Sequence, residues 1–370
     1  MKFTCLQENL SKGLAIVTKA VPTKSTFPIL SNVLIAAEDG QIKLASTNLE
    51  TTIITYVGAS VDEEGSTTVP AKLIREFISN LSPSTIRAEL KDEILHLSSE
   101  KTKSKLNGTS PVDYPNLPTF SKDLKYMELD PKTFGAAVAN VAFAAATDQA
   151  RPVFTGVFLN FEKGVLTVAS SDGFRLSEKV LRMDSDLPDF STIIPAKTLM
   201  EIARIFLTSD EPVKFAMNPN DNLALFEAGD TLVASQVLSG EYPNYKRIIP
   251  EDNIITAEFT SQELMEAVKL TNVFSKELNS AVKVKFNPEG FIHVVSLAQE
   301  TGEHESTMAA DIEGDELEIA FNSKYLLDLL SNVKSEKIIF KAKGATAPCL
   351  FQPMEHEDFL HVIAPMQIQN

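Results

Sequence analysis

The sequence predicts an α+β protein of three similar domains, each with two helices and about eight strands. Two different strand-then-helix units each occur three times in the same order, and alternating apolar and polar runs with glycine-containing turns lie between them. The 370 residues suffice for two or three domains that each bury a core. We therefore predict domains over residues 1–124, 125–252 and 253–370. Three unrelated α+β domains are the alternative, which leaves the shared order unexplained.

The first repeated unit is a short strand followed by an amphipathic helix. It reads KFTCLQENLSKGLAIV from residue 2, YMELDPKTFGAAVANV from residue 126 and ITAEFTSQELMEAVKLT from residue 255. Residues that favour helix starts, Asp130 with Pro131 and Ser261 with Glu263, stand at the transition in the second and third copies. An apolar strand residue precedes an apolar helix residue by seven positions in every copy: Phe3 and Leu10, Met127 and Phe134, Ala257 and Leu264.

The second repeated unit is a β-rich run that leads into another apolar-periodic helix. It reads TTVPAKLIREFISNL from residue 67, TIIPAKTLMEIARIF from residue 192 and IAFNSKYLLDLLSNV from residue 319. Lys72, Lys197 and Lys324 occupy the same position in it, 125 and 127 residues apart. Each of the three repeats then ends with a short marker, which is Tyr-Pro-Asn at 114–116 and at 242–244 and Ala-Pro-Met at 364–366. Markers that keep one order at one period indicate a triplication.

Composition limits the class of protein. With 44% hydrophobic and 23% charged residues, the chain is typical of a globular protein. No apolar run has the length of a signal peptide or of a membrane span, so we expect a cytoplasmic protein with no membrane partner. The two cysteines, Cys5 and Cys349, are too few for a disulfide framework and wrongly spaced for a zinc site. We expect both to be reduced residues of the core or of strands.

The charge of the chain is distributed unevenly. The net charge of −16 by itself argues against a polyanion as a partner. Yet the helices predicted over 10–20, 71–81, 132–145, 196–207, 262–276 and 323–334 carry +6 together, which leaves −22 for the remainder. A polyanion bound on a helical face would explain this, with Lys72, Lys197, Arg204 and Lys324 on that face. The alternatives are lysines that only aid solubility, and a three-domain scaffold that binds proteins and no DNA.

An enzyme is the competing class of protein. MEHEDFLH at 354–361 contains His356, Glu357 and His361, but the histidines are five residues apart, whereas two zinc ligands on one helix face need a spacing of four. We predict a turn entering a strand there, and a solvated loop at GEHES, 302–306. No phosphate-binding glycine loop, nucleophile elbow or dinucleotide fingerprint occurs in the sequence. We therefore expect no catalytic residues, no metal ligands and no cofactor.

Six segments resemble those of one family, and they stand in the places where that family has them. They are MKFT at the start, FPILSN at 27–32, TTVPAK at 67–72, SSDGFRL at 170–176, GEYPNYKRIIP at 240–250 and APM at 364–366. From end to end, the chain resembles the bacterial DNA polymerase III β subunit, the replication sliding clamp. The resemblance implies three domains of the DNA-clamp fold and a non-catalytic processivity factor.

The family forms a closed ring, in which two subunits join head to tail and the helices of six domains line a hole around double-stranded DNA. Such a ring retains DNA by linkage, so the phosphate contacts of its lining can stay weak and independent of sequence. The resemblance adds Lys24 and Arg151, in corresponding loops, to the DNA-binding residues. It also implies a homodimer contact at two places, Lys105 with Leu106 and Val273 with Phe274.

The resemblance further implies a groove between domains two and three for short apolar peptides with a leading Gln. The partners implied are the replicative polymerase alpha subunit, the clamp loader, and other DNA polymerases and repair proteins with clamp-binding motifs. Many members have His at the position of Phe174 and end Met-Pro-Met-Arg where this chain has Ala364–Gln367, which predicts a different peptide preference. The matching groove residues are Phe154, Ser171, Gly173, Phe174, Arg175, Leu176, Pro243, Arg247, Ile248, Pro348, Val362, Ile363, Pro365 and Met366.

Overall fold

A computed structural model describes residues 1–185, 187–218, 221–275, 280–296 and 302–367. It contains the six predicted helices, and their ends lie within a few residues of the predicted ones. Each helix follows directly on a strand, as the two repeated units predict. The α-helices are α1 (Gln7–Val17), α2 (Ala71–Ser79), α3 (Pro131–Ala142), α4 (Ala196–Phe206), α5 (Ser261–Ser275) and α6 (Ser323–Asn332).

The described residues form nine, eight and nine strands in the three repeats. The first repeat has β1 (Lys2–Leu6), β2 (Asn32–Glu38), β3 (Gln41–Thr47), β4 (Thr51–Gly58), β5 (Ser60–Glu63), β6 (Gly65–Pro70), β7 (Thr85–Lys91), β8 (Ile94–Ser98) and β9 (Lys103–Asn107). The second has β10 (Met127–Leu129), β11 (Gly156–Glu162), β12 (Val165–Ser171), β13 (Arg175–Arg182), β14 (Phe190–Pro195), β15 (Val213–Asn218), β16 (Leu223–Ala228) and β17 (Thr231–Gln236). The third has β18 (Ile255–Thr260), β19 (Ala281–Asn287), β20 (Phe291–Ser296), β21 (Glu305–Ala309), β22 (Asp311–Gly314), β23 (Leu317–Asn322), β24 (Lys337–Ala342), β25 (Cys349–Pro353) and β26 (Phe359–Ile363).

The strands of every repeat fall into two groups with one order. The first group runs β4-β3-β2-β6, β13-β12-β11-β14 and β21-β20-β19-β23 in the three repeats. The second group runs β1-β7-β8-β9, β10-β15-β16-β17 and β18-β24-β25-β26. The topology therefore repeats three times, as the sequence predicts, and the α+β fold class is confirmed.

Sheets continue from one repeat into the next. Strand β4 of the first repeat pairs antiparallel with β17 of the second, and β13 of the second repeat pairs antiparallel with β26 of the third. In both joints the first group of one repeat binds the second group of the following repeat. The strands β9 and β21 are the remaining counterparts, and each lies at the edge of its sheet.

These joints divide the chain into two compact units that differ from the three repeats. One unit comprises Met1–Gly135 with Glu201–Val237, and the other comprises Ala136–Met200 with Leu238–Asn370. The middle repeat thus contributes strands to both units. The domain limits expected near residues 124 and 252 stay a prediction.

Short hairpin turns connect the strands of the first group. Asp39 and Gly40 between β2 and β3 have φ of 49° and 75°, and Lys163 and Gly164 between β11 and β12 have φ of 50° and 78°. Two successive residues with positive φ form the turn whose twist matches that of antiparallel strands. Glycine at the second position suits this turn because it has no Cβ.

Apolar side chains of helices and strands form the interior of both units. Helix α1 packs against α2, and α5 packs against α6. In the unit that holds the third repeat, the ring of Phe340 lies 4.3 Å from that of Phe286 and 5.1 Å from that of Phe351. Cys5 in β1 and Cys349 in β25 are buried free thiols, as predicted, and burial raises the pKa of each to about 12. Within the described ranges, no helix has the length and apolar character needed to cross a membrane.

We predict that Phe340→Ala lowers stability by about 3–5 kcal/mol, because it removes a fully buried ring and leaves a cavity among other rings. Chemical denaturation of the whole chain measures the effect as a change in the free energy of unfolding of the compact unit that contains Phe340. The matched control is Phe291→Ala, whose ring is 44% exposed on β20 and should cost far less. Equal losses for the two variants would contradict this assignment of the core.

Candidate functional site

A tight turn between β12 and β13 presents the predicted groove residue Phe174. The Asp172 Oδ1 accepts hydrogen bonds from the backbone N–H groups of Phe174 (2.9 Å) and Arg175 (3.0 Å). Ser171 Oγ accepts one from Gly173 N–H and donates to the Arg175 carbonyl at 2.6 Å. Gly173 has φ of 92°, which favours glycine. The side chain of Phe174 is left 60% exposed at the end of this rigid turn.

Arg151 lies beside this turn. Its guanidinium carbon is 4.6 Å from the centre of the Phe154 ring, and Nη2 donates to the Asp172 carbonyl at 3.1 Å. A Cβ on Gly173 would come within 2.6 Å of that nitrogen, so the glycine also permits the close approach. The resemblance implies a DNA contact for Arg151, but the structure brings this side chain together with two of the predicted groove residues, Phe154 and Gly173, and with Asp172.

The predicted groove residues differ widely in exposure. Phe154, Leu176 and Val362 belong to one apolar cluster with Tyr242 and Leu350. Leu176, Val362 and Ile363 are almost fully buried, so they lie beneath the surface rather than on it. Pro243, Arg247 and Ile248 are exposed, whereas Pro348, Pro365 and Met366 are half-buried.

Two cavities are each lined by some of the predicted residues, five of them in all. One, of about 530 Å³, is lined by Arg247, Ile248 and Pro348 among others, and a second, of about 370 Å³, by Pro365 and Met366 among others. The segment after β26 is fixed by two main-chain bonds: Ala364 N–H donates to the Phe174 carbonyl and Met366 N–H to the Ala320 carbonyl, both at 2.8 Å. These two cavities therefore contain only part of the predicted groove lining, and Phe174 lines neither of them.

Arg175, predicted to line the groove, has a side chain that is only 6% exposed and makes three hydrogen bonds. Its Nε donates to Asp172 Oδ2 at 3.0 Å, Nη1 to Asp328 Oδ2 at 2.6 Å and Nη2 to the Phe143 carbonyl at 2.8 Å. The guanidinium also lies over the Tyr325 ring, 4.6 Å from its centre. Removing one member of a buried ion pair of this kind costs about 3–5 kcal/mol. We name Arg175, Asp172, Asp328, Phe143 and Tyr325 the arginine cluster.

Beside the arginine cluster, His361 is fully buried in β26, which begins after a turn as predicted for MEHEDFLH. Its Nδ1 is 2.7 Å from Ser177 Oγ, and its ring is 5.4 Å from that of Phe143. Burial and then the nearby Arg175 charge lower its pKa to about 3. In the described part of the chain no three His, Cys, Asp or Glu side chains are grouped to hold a metal ion.

The predicted DNA-binding residues Lys24, Lys72, Lys197, Arg204 and Lys324 are all exposed. The three lysines at the repeated position each occupy the second residue of α2, α4 or α6. Arg204 Nη1 is 2.7 Å from Glu201 Oε1, and Lys19 approaches the same carboxylate at 3.4 Å. Among the residues described, no carboxylate lies within ion-pair distance of the repeated lysines or of Lys24.

The charge on the observed helices is smaller than predicted. Within the bounds of α1–α6 it amounts to +2, not +6, which leaves −18 for the remainder. Glu8 falls inside α1, Lys19 and Lys334 follow helix ends, and Lys276 lies outside the described residues. Helix ends are the least certain part of a sequence-based assignment, and here they carry most of the charge. The helices remain more positive than the rest of the chain.

The residues of the predicted subunit contact lie at two edges. Lys105 is exposed and Leu106 is buried on the edge strand β9. Val273, near the end of α5, is 63% exposed, and the Phe274 ring stacks on His304 with centres 5.4 Å apart. GEHES was predicted as a loop, but its last two residues begin the edge strand β21, and the Ser296 N–H donates to the His304 carbonyl.

Sequence reasoning missed the acidic members of the arginine cluster. One signal was present: Lys72, Lys197 and Lys324 are each followed four residues later by an acid, namely Glu76, Glu201 and Asp328. Two of these acids are paired in the structure, Glu201 with Lys19 and Arg204, and Asp328 with Arg175. In two of the three repeats, the repeated acid therefore occupies an ion-pairing position on the second helix.

Three family models match almost the whole chain. The N-terminal domain of the DNA polymerase III beta subunit matches residues 1–118, the central domain 128–244 and the C-terminal domain 246–367. The chain belongs to the DNA polymerase III beta subunit family. The resemblance drawn from six segments is thereby confirmed.

Individual members of the DNA polymerase III beta subunit family match over their full length. The beta sliding clamp of Synechocystis sp. is 29% identical over 393 residues, with both chains covered completely. The beta sliding clamp of Bacillus subtilis is 27% identical over 381 residues, covering 99% of this chain and all of the relative. Solved structures of the sliding clamp from Bacillus subtilis and of the beta subunit from Pseudomonas aeruginosa have TM-scores of 0.94 at 26% and 25% identity, with complete coverage of both chains.

We predict that acid lowers the stability of the folded chain partly through His361. Its pKa is lowered in the folded state, so its contribution is complete above about pH 6.5 and is lost as pH falls towards 3. Between these values the unfolded chain binds the proton and the folded chain does not, a loss of up to about 1.4 kcal/mol per pH unit.

The measurement is the thermal midpoint at pH 7 and pH 5 for wild type and His361→Gln, which has no titrating ring. The wild type should lose more on acidification than the variant, whereas the control His356→Gln, in the turn before β26, should behave like wild type. A variant that loses as much as wild type would show that His361 is not the group concerned.

Proposed function

We propose that the chain is a DNA sliding clamp, a non-catalytic processivity factor that encircles duplex DNA without sequence specificity and keeps a polymerase on it. Support comes from family membership over the whole length. The observation that carries the proposal is the repetition of the sheet joints, β4 with β17 and β13 with β26. Their remaining counterparts, β9 and β21, are unpaired edges that a second copy can join in the same way.

The register of that joint follows from the repeat. Along the first group, Ser46, Ser170 and Ser296 are equivalent, and they lie opposite Ile53, Ser177 and His304. In the second group, Phe3, Met127 and Ala257 occupy equivalent positions in the three repeats. Following the paired residues from strand to strand across the sheet leads from these three to Ser104, Val233 and His361, respectively, which are therefore equivalent as well. Because Ile53 pairs with Val233 and Ser177 pairs with His361, His304 of one copy should pair with Ser104 of the other.

This register places opposite charges together. It sets Glu303 against Lys105 and Glu305 against Lys103, all exposed side chains on one face of the joined sheet. It also brings Leu106 to Gly302, where a Cβ would lie 3.7 Å from the Phe274 ring. Pairs of opposite charge on adjacent strands stabilise a sheet and fix its register. Two such contacts would close a head-to-tail homodimer into a ring.

We predict that Lys105→Glu weakens the dimer at least about ten-fold, equivalent to about 1.4 kcal/mol, because it sets like charges against each other at both contacts. Sedimentation at low salt measures the dissociation constant. Adding Glu303→Lys should restore much of the affinity, and Lys122→Glu, in an exposed loop, should change little. A double variant as weak as Lys105→Glu alone would contradict the register.

The proposed DNA contacts are the exposed cations Lys24, Lys72, Lys197, Arg204 and Lys324, with Arg151. Their small number suits a clamp, because each neutralised phosphate adds affinity and salt dependence that would oppose sliding. The acidic remainder of the chain repels DNA from other surfaces. A ring needs only weak contacts, since its closure prevents escape.

Retention on DNA tests this function. The protein is loaded by a clamp loader onto nicked circular DNA, isolated in moderate salt, and the circle is then cut once. We expect the protein to remain on circles and to leave linear DNA, because linkage rather than ion pairing holds it. Retention after cutting would contradict a ring, and failure to load with an active loader would favour a scaffold that binds proteins only.

The proposed partner groove comprises the exposed residues around the Phe174 turn, the cavity at Arg247, Ile248 and Pro348, and the cavity at Pro365 and Met366. Exposed apolar side chains and an adaptable Met suit short apolar peptides. The proposed partners are the replicative polymerase alpha subunit, the clamp loader, and other DNA polymerases and repair proteins in the cytoplasm. The buried members of the predicted set, such as Leu176, Val362 and Ile363, would pack beneath these exposed residues.

We predict that Phe174→Ala and Met366→Ala each weaken binding of a labelled apolar peptide with a leading Gln about ten-fold, since each loses apolar contact with it. Fluorescence anisotropy measures the affinity. Phe291→Ala removes another exposed ring, 44% exposed on β20 against 60% for Phe174, outside the proposed groove, and serves as control. Unchanged affinity in both variants would place the peptide elsewhere.

A further inference from the structure

A buried carboxylate holds the segment that carries part of the proposed partner groove. Glu178, on β13, is buried, and its Oε2 accepts a hydrogen bond from the Tyr245 hydroxyl at 2.5 Å. So short a distance is typical of a hydroxyl that donates to a charged carboxylate, which is among the stronger hydrogen bonds in proteins. Burial and the charge of Glu178 raise the pKa of Tyr245 above its ordinary value, so the phenol keeps the proton that it donates.

Tyr245 stands at the start of one wall of the larger cavity. It is the first residue of a short 3-10 helix, Tyr245–Ile248, whose other three residues are exposed. Those three, Lys246, Arg247 and Ile248, line the cavity of about 530 Å³. A 3-10 helix rises only about 2 Å per residue, so the backbone of Ile248 lies within about 6 Å of that of Tyr245 along the helix axis. A restraint on Tyr245 therefore restrains Arg247 and Ile248.

Apolar packing also holds this segment, but it is less specific in direction. The Tyr242 ring stacks on that of Phe158 with centres 4.9 Å apart, and the Tyr245 ring meets these two rings edge-on at 6.2 and 6.5 Å. Burial of apolar surface is non-directional, so such packing tolerates small shifts of the segment. A hydrogen bond depends on both distance and angle. The bond to Glu178 therefore selects one position of the segment.

The first repeat has two apolar residues at the positions of this polar pair. Leu117 and Tyr245 each follow directly on a Tyr-Pro-Asn marker. Ile54 and Glu178 are equivalent as well, because they pair with equivalent alanines on β3 and β12. Leu117 packs against the apolar cluster that contains Ile54. The fold can thus hold this segment with apolar side chains alone.

The polar pair is the more expensive of the two solutions, since a buried carboxylate loses its hydration and needs a partner. In the second repeat it occurs where the segment goes on to line the cavity at Arg247 and Ile248. Holding the fold together does not require it there, as the first repeat shows. A directional restraint on the cavity wall does account for it.

We propose that Tyr245 and Glu178 are positioning residues for the proposed partner groove, whose hydrogen bond fixes Arg247 and Ile248 in the place where a partner peptide contacts them. This rests on the proposed function, which makes the cavity at Arg247, Ile248 and Pro348 part of the groove. A wall that is fixed beforehand loses little conformational freedom on binding. The pair therefore raises affinity without touching the peptide.

The test is a double-mutant cycle on the affinity of the full chain for a labelled apolar peptide with a leading Gln, measured by fluorescence anisotropy. Tyr245→Phe removes only the hydroxyl and should weaken binding about five-fold. Added to a variant with both Arg247→Ala and Ile248→Ala, it should weaken binding no further, because Tyr245 acts through those two residues. Added to Met366→Ala, at the other cavity, it should again weaken binding about five-fold, since the losses at independent sites add as free energies.

Two further variants separate positioning from folding. Glu178→Gln keeps an oxygen that can accept from the Tyr245 hydroxyl, so it should bind the peptide nearly as wild type does. A chain with Glu178→Ile and Tyr245→Leu recreates the apolar pair of the first repeat. It should keep a thermal midpoint near that of wild type and still bind the peptide about five-fold more weakly, as Tyr245→Phe does.

Wild-type affinity in Tyr245→Phe would overturn the inference. Equal losses on the Arg247→Ala, Ile248→Ala and the Met366→Ala backgrounds would also overturn it, because a general structural role acts on both alike. If the Arg247→Ala, Ile248→Ala variant itself binds like wild type, the peptide does not use this cavity, and the proposed groove fails there together with the inference. A loss in that variant without one in Tyr245→Phe leaves the groove in place and removes only the positioning role.

Discussion

Main-chain hydrogen bonding between neighbouring repeats is the interaction on which the rest of the structure depends. In both joints, the first group of strands in one repeat is completed by the second group of the next. The middle repeat is consequently shared between two compact units. The same rule leaves β9 and β21 as edges, and exposed edges of this kind invite a partner strand. The topology of the single chain thus supports the proposed assembly.

Electrostatics supplements this framework without dominating it. The observed helices carry only +2, and the surrounding chain is strongly acidic. A protein that held DNA by ion pairs alone would need far more positive charge. The small surplus suits the proposed ring, in which closure of the chain and of the strand-to-strand contacts would retain the DNA and charge would only orient it. The buried charges of the arginine cluster have a different role, since they connect a helix to a turn.

The triplication, the six helices and the approximate number of strands could be predicted because apolar periodicity and marker spacing are local properties of the sequence. The burial of Arg175 could not, because it depends on Asp328, which lies 153 residues away in the chain. The core position of His361 was hidden for a similar reason, since Ser177 and Phe143 surround it only after the joint forms. The helical charge was overestimated because shifts of up to three residues at helix ends brought Glu8 into α1 and left Lys19 and Lys334 outside the helices.

The most direct measurement of the central claim is a disulfide cross-link between β9 and β21. A chain with Lys105→Cys and Glu303→Cys is oxidised, then analysed on a denaturing gel without reductant, since paired positions on neighbouring strands lie at distances a disulfide can span. The account predicts a covalent dimer that forms only when both cysteines are present. Monomers alone, or a bond closed within one chain, would contradict a sheet that continues from one copy into the next.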